Sequence, residues 1–397
     1  MNAGLEKLQP YPFERLGEIR SSLETRAGID LINLSIGEPQ HPTPTCITEA
    51  LVANLSGTAK YPATRGLPEL RETICRWLTN RFTLGPDSLD PDRHVLPVNG
   101  TREALFAIAQ TMIDRTKPNP TVAMPNPFYQ IYEGAGLLAG ARPYYLPASD
   151  APKSGIDWQA ISDKDWDSFQ LVYVCSPGNP SGTVLTAEDF EYLMARADRH
   201  DFVVVSDECY SELYFDESNP PLGLLQWCAS AGRDDFSRCV VMHSLSKRSN
   251  APGLRSGFAA GDASVMQSFF RYRTYHGGAM PLHVQHASIA AWGDEQHVVE
   301  NRDAYRQKFS VFLDVMDGLW DLRLPEAGFY LWPDIANDDV EACKRLIAEA
   351  AVVVLPGQFL GREIDGSNPG YGHLRIALVE SPEVCELAAT RIHSLFS

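Results

Sequence analysis

Five short apolar runs, at 121–124, 143–146, 171–175, 202–205 and 239–242, recur through the middle of the chain, each the length of a single strand. Between most of them the apolar residues take helical spacing instead, as in Ala104, Leu105, Ile108, Ala109 and Met112, or Phe190, Leu193, Met194 and Ala197. Strands alternating with helices imply βαβ units, so the pattern predicts an α/β fold with a mainly parallel sheet and helices on both faces. Val203, Val204 and Val205 are apolar at successive positions, as expected of a strand covered on both sides.

The flanking regions read differently. Residues 13–30 suggest a helix leading to the run 31–36. The last hundred residues combine a long helix at 300–319, short strands at 330–332, 352–355 and 374–378, and helices near 340–350 and 383–395. A chain of 397 residues has room for two units at about 150 residues per domain. The expected division is a large domain at 46–285 and a smaller α+β domain made of 1–45 with 286–397. The stretch 361–372 holds four glycines and a proline and is expected to be a mobile loop.

Composition removes several classes of function. Thirty-four basic against fifty-one acidic side chains give a net charge of −17, which argues against a nucleic-acid partner, since that needs a basic face. Residues 1–12 carry Glu6, Lys7 and two prolines, with no apolar core of a signal peptide, and runs such as 350–355 fall far short of the roughly 20 residues that span a bilayer. The expectation is a cytoplasmic protein without a membrane partner. The eight cysteines contain no Cys-x-x-Cys, so neither a disulfide framework nor a metal centre is expected.

Ligands of open α/β sheets bind beyond the carboxyl ends of the strands. Four of the five runs lead there into polar clusters: Pro125-Asn126-Pro127-Phe128-Tyr129, Ser176-Pro177-Gly178-Asn179-Pro180-Ser181-Gly182, Ser206-Asp207-Glu208-Cys209-Tyr210 and Ser244-Leu245-Ser246-Lys247. A lysine at the mouth of a sheet with an aspartate one strand away suits a carbonyl cofactor held as a Schiff base, its ring nitrogen paired with a carboxylate. Pyridoxal phosphate has those needs and also a phosphate. Asn99-Gly100-Thr101-Arg102 precedes a helix start at which free amides favour an anion, and Ser244 and Arg255 would add a hydroxyl and a fixed positive charge.

Taken together, Ser-Leu-Ser-Lys at 244–247, Pro-Gly-Leu-Arg-Ser-Gly-Phe at 252–258, Asn-Pro-Ser-Gly at 179–182 and Ser-Asp-Glu-Cys-Tyr at 206–210 resemble the class I/II aminotransferases of the fold-type I pyridoxal-phosphate enzymes. The resemblance runs from Asn-Leu-Ser-Ile-Gly-Glu-Pro at 33–39 to His-Leu-Arg-Ile-Ala-Leu at 373–378, in the family's order. It implies pyridoxal 5'-phosphate as cofactor. Lys247 would be the Schiff-base lysine and proton carrier, Asp207 the partner of the ring nitrogen, and Asn179 and Tyr210 the donors to the phenolic oxygen. Tyr129 would stack on the ring. Gly100, Thr101, Arg102, Ser244 and Arg255 would bind the phosphate. Tyr61 would reach the phosphate of a neighbouring subunit, which makes the expected assembly a homodimer. Arg375, with Asn179 and Gly37, would hold the substrate's α-carboxylate. The segment 176–182 departs from the family in having Ser176, Gly178 and Ser181 where Asn, Asn and Thr are commoner.

The unbroken stretch 244–258, through Arg248, Ser249 and Asn250, is similar in particular to bacterial N-succinyldiaminopimelate aminotransferases of lysine biosynthesis, with glutamate and 2-oxoglutarate as one substrate pair. That substrate is anionic at its far end, so a second basic group is expected, and Arg65, Arg271, Arg273 and His276 are the candidates. The alternatives are an aspartate or aromatic aminotransferase, a C–S β-lyase on the same fold, or a catalytically silent cofactor-binding regulator; the last is opposed by the intact Lys247 and Asp207.

Three other patterns do not carry their usual meaning. The dinucleotide-like Gly134-Ala135-Gly136-Leu137-Leu138-Ala139 lies within a helix-like segment that leads into a strand, the reverse of the strand-to-helix order that motif needs. Ser244-x-x-Lys247 lacks the Ser-Asp-Asn and Lys-Thr-Gly partners of penicillin-binding hydrolases. His283 and His286 have no third ligand at metal-binding spacing.

Overall fold

The apolar runs become the strands of one seven-stranded sheet in a computed structural model that describes residues 3–23, 28–149 and 154–397. Its strands are β1 (Val95–Val98), β2 (Thr121–Met124), β3 (Arg142–Tyr145), β4 (Phe169–Cys175), β5 (Val203–Asp207), β6 (Cys239–Ser244) and β7 (Gly257–Gly261). They lie in the order β1-β7-β6-β5-β4-β2-β3. From β6 to β3 every neighbouring pair is parallel, and β7 alone runs against the others. The fold is therefore the α/β class that the pattern implied.

Two strands were not among the five runs. β1 carries Pro97 and lies at the edge of the sheet, where a missing amide is tolerated. β7 reads Gly-Phe-Ala-Ala-Gly, a composition poor in the β-branched residues that mark strands.

Alternate residues of the central strands feed two separate cores. Leu171, Tyr173, Val203, Val205, Val240 and Met242 pack on one face with the helices Thr101–Met112 and Ile131–Leu138. Val172, Val174, Val204 and Val241 pack on the other with Pro68–Phe82 and Ala187–His200. Each fully buried side chain of this size contributes about 1.5–3 kcal/mol, so the doubly covered strands form a stiff platform for the loops at their ends. The dinucleotide-like glycines fall inside helix Ile131–Leu138 and not in the turn that joins β2 to it, so they cannot form the phosphate-cradling turn that motif needs.

A third core joins segments from both ends of the chain: Ile32 and Leu34 meet Phe309, Phe312, Val353, Leu374, Ile376 and Ile392. Ile32–Asn33 pairs in parallel with Val352–Val353, while Leu355–Pro356, Leu374–Ala377 and Tyr330–Leu331 form a separate antiparallel sheet. The expected strand 352–355 is thus two strands serving two sheets.

The long helix spans Gln296–Val315, four residues earlier than expected at each end. At its start His297 bonds Asp294. The helix at 13–30 is Pro12–Ser21, and residues 24–27 lie outside the described residues. The helix expected at 340–350 runs as Asp339–Arg345, capped by the Asp338 carboxylate, and then widens into a π turn.

The stretch 361–372, expected to be mobile, is clasped to the large sheet's flank. Arg362 pairs with the buried Glu133 at 2.6 and 2.8 Å, and its backbone exchanges both hydrogen bonds with the Asn126 side chain. Glycine content alone did not reveal these anchors. No helix among the described residues is long and apolar enough to cross a membrane.

Candidate active site

The carboxyl ends of β1, β2, β4, β5 and β6 open onto one cavity of about 500 Å³. Its walls include Thr101, Tyr129, Asn179, Asp207 and Lys247, Asp207 ending β5 and the others lying just beyond β1, β2, β4 and β6.

At one end, Gly100 turns the chain from β1 into helix Thr101–Met112 with φ at +83°. Any side chain there would be strained by that angle, and its β-carbon would run into the Arg255 guanidinium. Arg255 is fixed by Nη1 to the Pro252 carbonyl at 2.8 Å and Nη2 to the Asn99 carbonyl at 3.4 Å. Glu103 accepts from the Asn99 amide at 3.2 Å, and Arg273 in turn holds Glu103. Ser244 Oγ accepts from the Ser246 amide at 3.1 Å. These groups converge on a small pole of amides, hydroxyls and one guanidinium, which suits an anion.

At the middle, Asp207 closes β5 and is 4 % exposed. Its carboxylate accepts from the Tyr132 hydroxyl at 2.8 Å and the Cys209 amide at 3.3 Å, and burial pushes its pKa up. None of the ion pairs among the described residues includes it. Tyr132 is itself locked by stacking on Tyr173, with centroids 4.8 Å apart. Lys247 follows β6 on the short helix Leu245–Arg248 and donates to the Gly37 carbonyl, with its amine 5.2 Å from the Phe329 ring centre. Desolvation lowers its pKa to about 8, with Arg375 acting in the same direction, so a large neutral fraction exists near pH 8. The Tyr129 hydroxyl accepts from Arg102 Nε at 2.5 Å.

At the far end, Arg375 reaches in from the small antiparallel sheet. Its Nη1 donates to Asn179 Oδ1 at 3.0 Å, its Nη2 to the Ser35 carbonyl at 2.8 Å, and its guanidinium lies 4.5 Å from the Tyr330 ring centre. The buried Nε has no hydrogen-bond partner among the described residues. Tyr330 also meets Tyr210, hydroxyl to hydroxyl, at 3.2 Å. A β-carbon on Gly37 would overlap the Tyr330 hydroxyl, so only glycine lets that backbone approach.

The structure therefore brings Gly37, Thr101, Arg102, Tyr129, Asn179, Asp207, Tyr210, Ser244, Lys247, Arg255 and Arg375 to one cavity, with Gly100 beneath Arg255. Tyr61 does not join them and stands fully exposed on the surface. Of the four basic candidates for a distal anion, none lines the cavity: Arg273 is buried against Glu103 and the Gly278 carbonyl, and Arg65 lies on the Phe270 ring. Sequence reasoning missed Tyr132, Tyr330, Tyr11 and Phe13. Tyr132 follows Tyr129 by one helical turn, a spacing that points to it, whereas nothing local links Tyr11 or Phe13 to the cavity.

Pyridoxal phosphate fits this set of groups. The Gly100–Arg255 pole suits its phosphate. A buried carboxylate without a cationic partner suits a protonated ring nitrogen, and a desolvated amine suits its aldehyde.

Residues 29–392 match the family described as aminotransferase class I and II. A solved aminotransferase from Neisseria meningitidis is 47% identical, with 100% of each chain covered and a TM-score of 0.96. A solved structure described as a probable N-succinyldiaminopimelate aminotransferase from Thermus thermophilus is 27% identical, covering 97% of this chain and 100% of that one, with a TM-score of 0.84. The LL-diaminopimelate aminotransferase of Desulforudis audaxviator is 30% identical over 389 residues, 96% of this chain and 94% of the relative.

Proposed function

This chain belongs to the aminotransferase class I and II family, which uses pyridoxal phosphate to exchange an amino group between an amino acid and a 2-oxo acid, and within that reaction we propose that it is an N-succinyl-LL-2,6-diaminopimelate:2-oxoglutarate aminotransferase of lysine and diaminopimelate biosynthesis. The observation that carries the chemistry is the convergence, in one cavity, of a lysine amine with a pKa of about 8, a buried aspartate with no ion-pair partner among the described residues, and a fixed guanidinium. The substrate reading is supported by the stretch 244–258 and by two relatives whose names both carry the diaminopimelate skeleton.

When bound, the cofactor supplies a carbonyl carbon that receives the amino group and a protonated ring that spreads the electron pair left on the substrate's Cα. Asp207 holds the proton at the ring nitrogen, and Tyr132 steadies that carboxylate. Loss of the negative charge at 207 should therefore lower rate more than binding. Lys247, partly neutral at working pH, removes the proton from Cα. The Gly37 carbonyl keeps its amine in place until then. With Oδ1 engaged by Arg375, Asn179 has its amide nitrogen left to donate to the phenolic oxygen, beside Tyr210. Tyr129 covers a ring face, and Gly100, Thr101, Ser244 and Arg255 take the phosphate. Tyr61, exposed here, reaches the phosphate of a second copy in a homodimer. Arg375 binds the α-carboxylate in a planar, bidentate manner.

Steady-state assays with 2-oxoglutarate should rank N-succinyl-LL-diaminopimelate above free LL-diaminopimelate, aspartate, aromatic and branched donors. A preference for an aromatic or branched donor would overturn the substrate reading. Pyruvate and ammonia formed without any 2-oxo acid would identify a C–S β-lyase instead.

A further inference from the structure

We propose that Asn301 is a positioning residue for Lys247, fixing the lysine's backbone together with the Gly37 segment so that the amine reaches the substrate's Cα proton; this rests on the reading of Lys247 as the reacting lysine. Arg248, Ser249 and Asn250, within the stretch that links the sequence to one group of aminotransferases, are absent from the cavity wall. Each is bound instead to the start of the long helix Gln296–Val315 or to the turn before it. Arg248 is buried, lies against the Trp77 and Trp292 rings, and donates to the Ala291 and Asp294 carbonyls at 2.7 and 3.1 Å. The Asp294 carboxylate accepts from His297 Nδ1 at 2.5 Å, which leaves Nε2 to accept from the Ser249 hydroxyl at 2.8 Å. Asn250 meets Asn301.

Asn301 is buried, and both the donors and the acceptor of its amide are engaged. Its Nδ2 donates to the carbonyls of Lys247 and Arg248 at 3.2 and 3.3 Å. Its Oδ1 accepts from Asn250 Nδ2 at 2.9 Å and from His41 Nδ1 at 3.0 Å. A reversed amide would point its oxygen at two carbonyls, so these partners fix its direction. Lys247 stands on the short helix Leu245–Arg248, which is too brief to satisfy its own last carbonyls. His41 follows Gly37, whose carbonyl takes the Lys247 amine, by one short segment. One side chain therefore ties down both the root of the lysine and the segment that receives its tip. The stem between them is flexible, and a misplacement of about 1 Å can cost about 10²-fold in rate.

The test compares Asn301→Leu and Asn250→Gly with the wild type, using any donor the wild type transaminates. It also measures cofactor affinity, thermal unfolding and, in the cofactor-free protein, the pH midpoint of amine modification at Lys247. Asn301→Leu keeps the shape, adds no charge and loses the hydrogen bonds. It should lower kcat about 100-fold while KM and cofactor affinity stay within a fewfold, and move the Lys247 midpoint up from about pH 8 as the amine leaves its desolvated place. Asn250→Gly, at a residue whose φ of +46° suits glycine, removes one anchor of the Asn301 amide and should lower kcat about tenfold. An unchanged kcat in folded Asn301→Leu overturns the proposal. So does a fall in thermal stability with an unchanged midpoint and with kcat, KM and cofactor affinity lost together, the mark of a merely structural residue. Should Asn301→Leu not fold, a kcat in Asn250→Gly within about twofold of wild type overturns the proposal, and the tenfold loss at unchanged KM supports it. Transamination that survives in Lys247→Ala, or is absent from the wild type with every donor, removes the reading of Lys247 and this proposal with it.

Discussion

At the Arg255 end of the cavity most of the fixing runs over turns a few residues long, where Arg255 bonds Pro252, Ser244 bonds Ser246 and Glu103 bonds Asn99, and the longer contacts, Arg255 to Asn99 and Arg273 to Glu103, join elements of the one large sheet and its helices. At the Arg375 end the same kind of fixing spans the chain, with hydrogen bonds to residues 196 and 340 positions away. The first end is set by short turns and by a sheet buried on both faces, whose neighbouring strands bring Arg255 beside Asn99. The second exists only when the terminal segments have packed into the third core. Damage to the third core should therefore disturb substrate carboxylate binding before it disturbs cofactor binding.

The largest expected effect falls at the junction of the two ends. Lys247→Ala should reduce transamination by about 10⁴-fold or more, since it removes the base that both ends serve. Single-turnover formation of the 2-oxo acid measures this, and a borohydride-stable cofactor adduct on a peptide containing position 247 should vanish with it. Arg375→Lys should raise KM and lower kcat/KM by about 10²-fold while cofactor affinity stays within a fewfold, because a point charge cannot keep the Asn179 and Ser35 contacts and also grip a carboxylate in two places. An equal loss of cofactor binding would show that the ends are not independent. Tyr132→Phe, on the local side, should cost about tenfold in kcat by removing one hydrogen bond to a buried carboxylate.

The smallest effects concern two lysines with similarly depressed pKa values, one from each region. In the cofactor-free protein Lys247 should react with an amine-directed reagent with a midpoint near pH 8, as it opens onto the cavity. Lys308 is buried in the third core, with its Nζ donating to the Val379 carbonyl at 2.7 Å, and desolvation also lowers its pKa to about 8. It should be protected from the same reagent. Its signature is in stability: between about pH 8 and 10.5 the unfolded chain binds more protons at this site than the folded one, so stability contributed here rises as pH increases through that window. Thermal unfolding of Lys308→Met should lack that rise, a difference on the order of 1–3 kcal/mol.

Much of the large sheet was legible in the sequence, because a doubly covered parallel strand needs a continuous apolar run and β4, β5 and β6 supply one. β7 escaped notice because small residues carry no such signal. Its place beside β6 is decided by the sheet it completes. The residues just beyond the strands were legible for a related reason: chain direction alone sends Tyr129, Asn179, Asp207 and Lys247 to the same edge. Arg102 was visible, but its neighbour Tyr129, 27 residues away, is what gives its side chain a direction.

The sequence by itself determined the alternation of strand and helix, the edge of the sheet at which chemistry collects, and the residue types available there, since all three follow from local periodicity and chain direction. Only the tertiary structure decided that Gly37 lies under Tyr330, that Arg375 grips Asn179, that the loop at 361–372 is tied down by Glu133, and that Arg273 is spent on Glu103 and not on a ligand. Those are contacts between segments distant in the chain. No local pattern encodes them, because each depends on how separately formed elements pack to bury their apolar faces and satisfy their remaining polar groups.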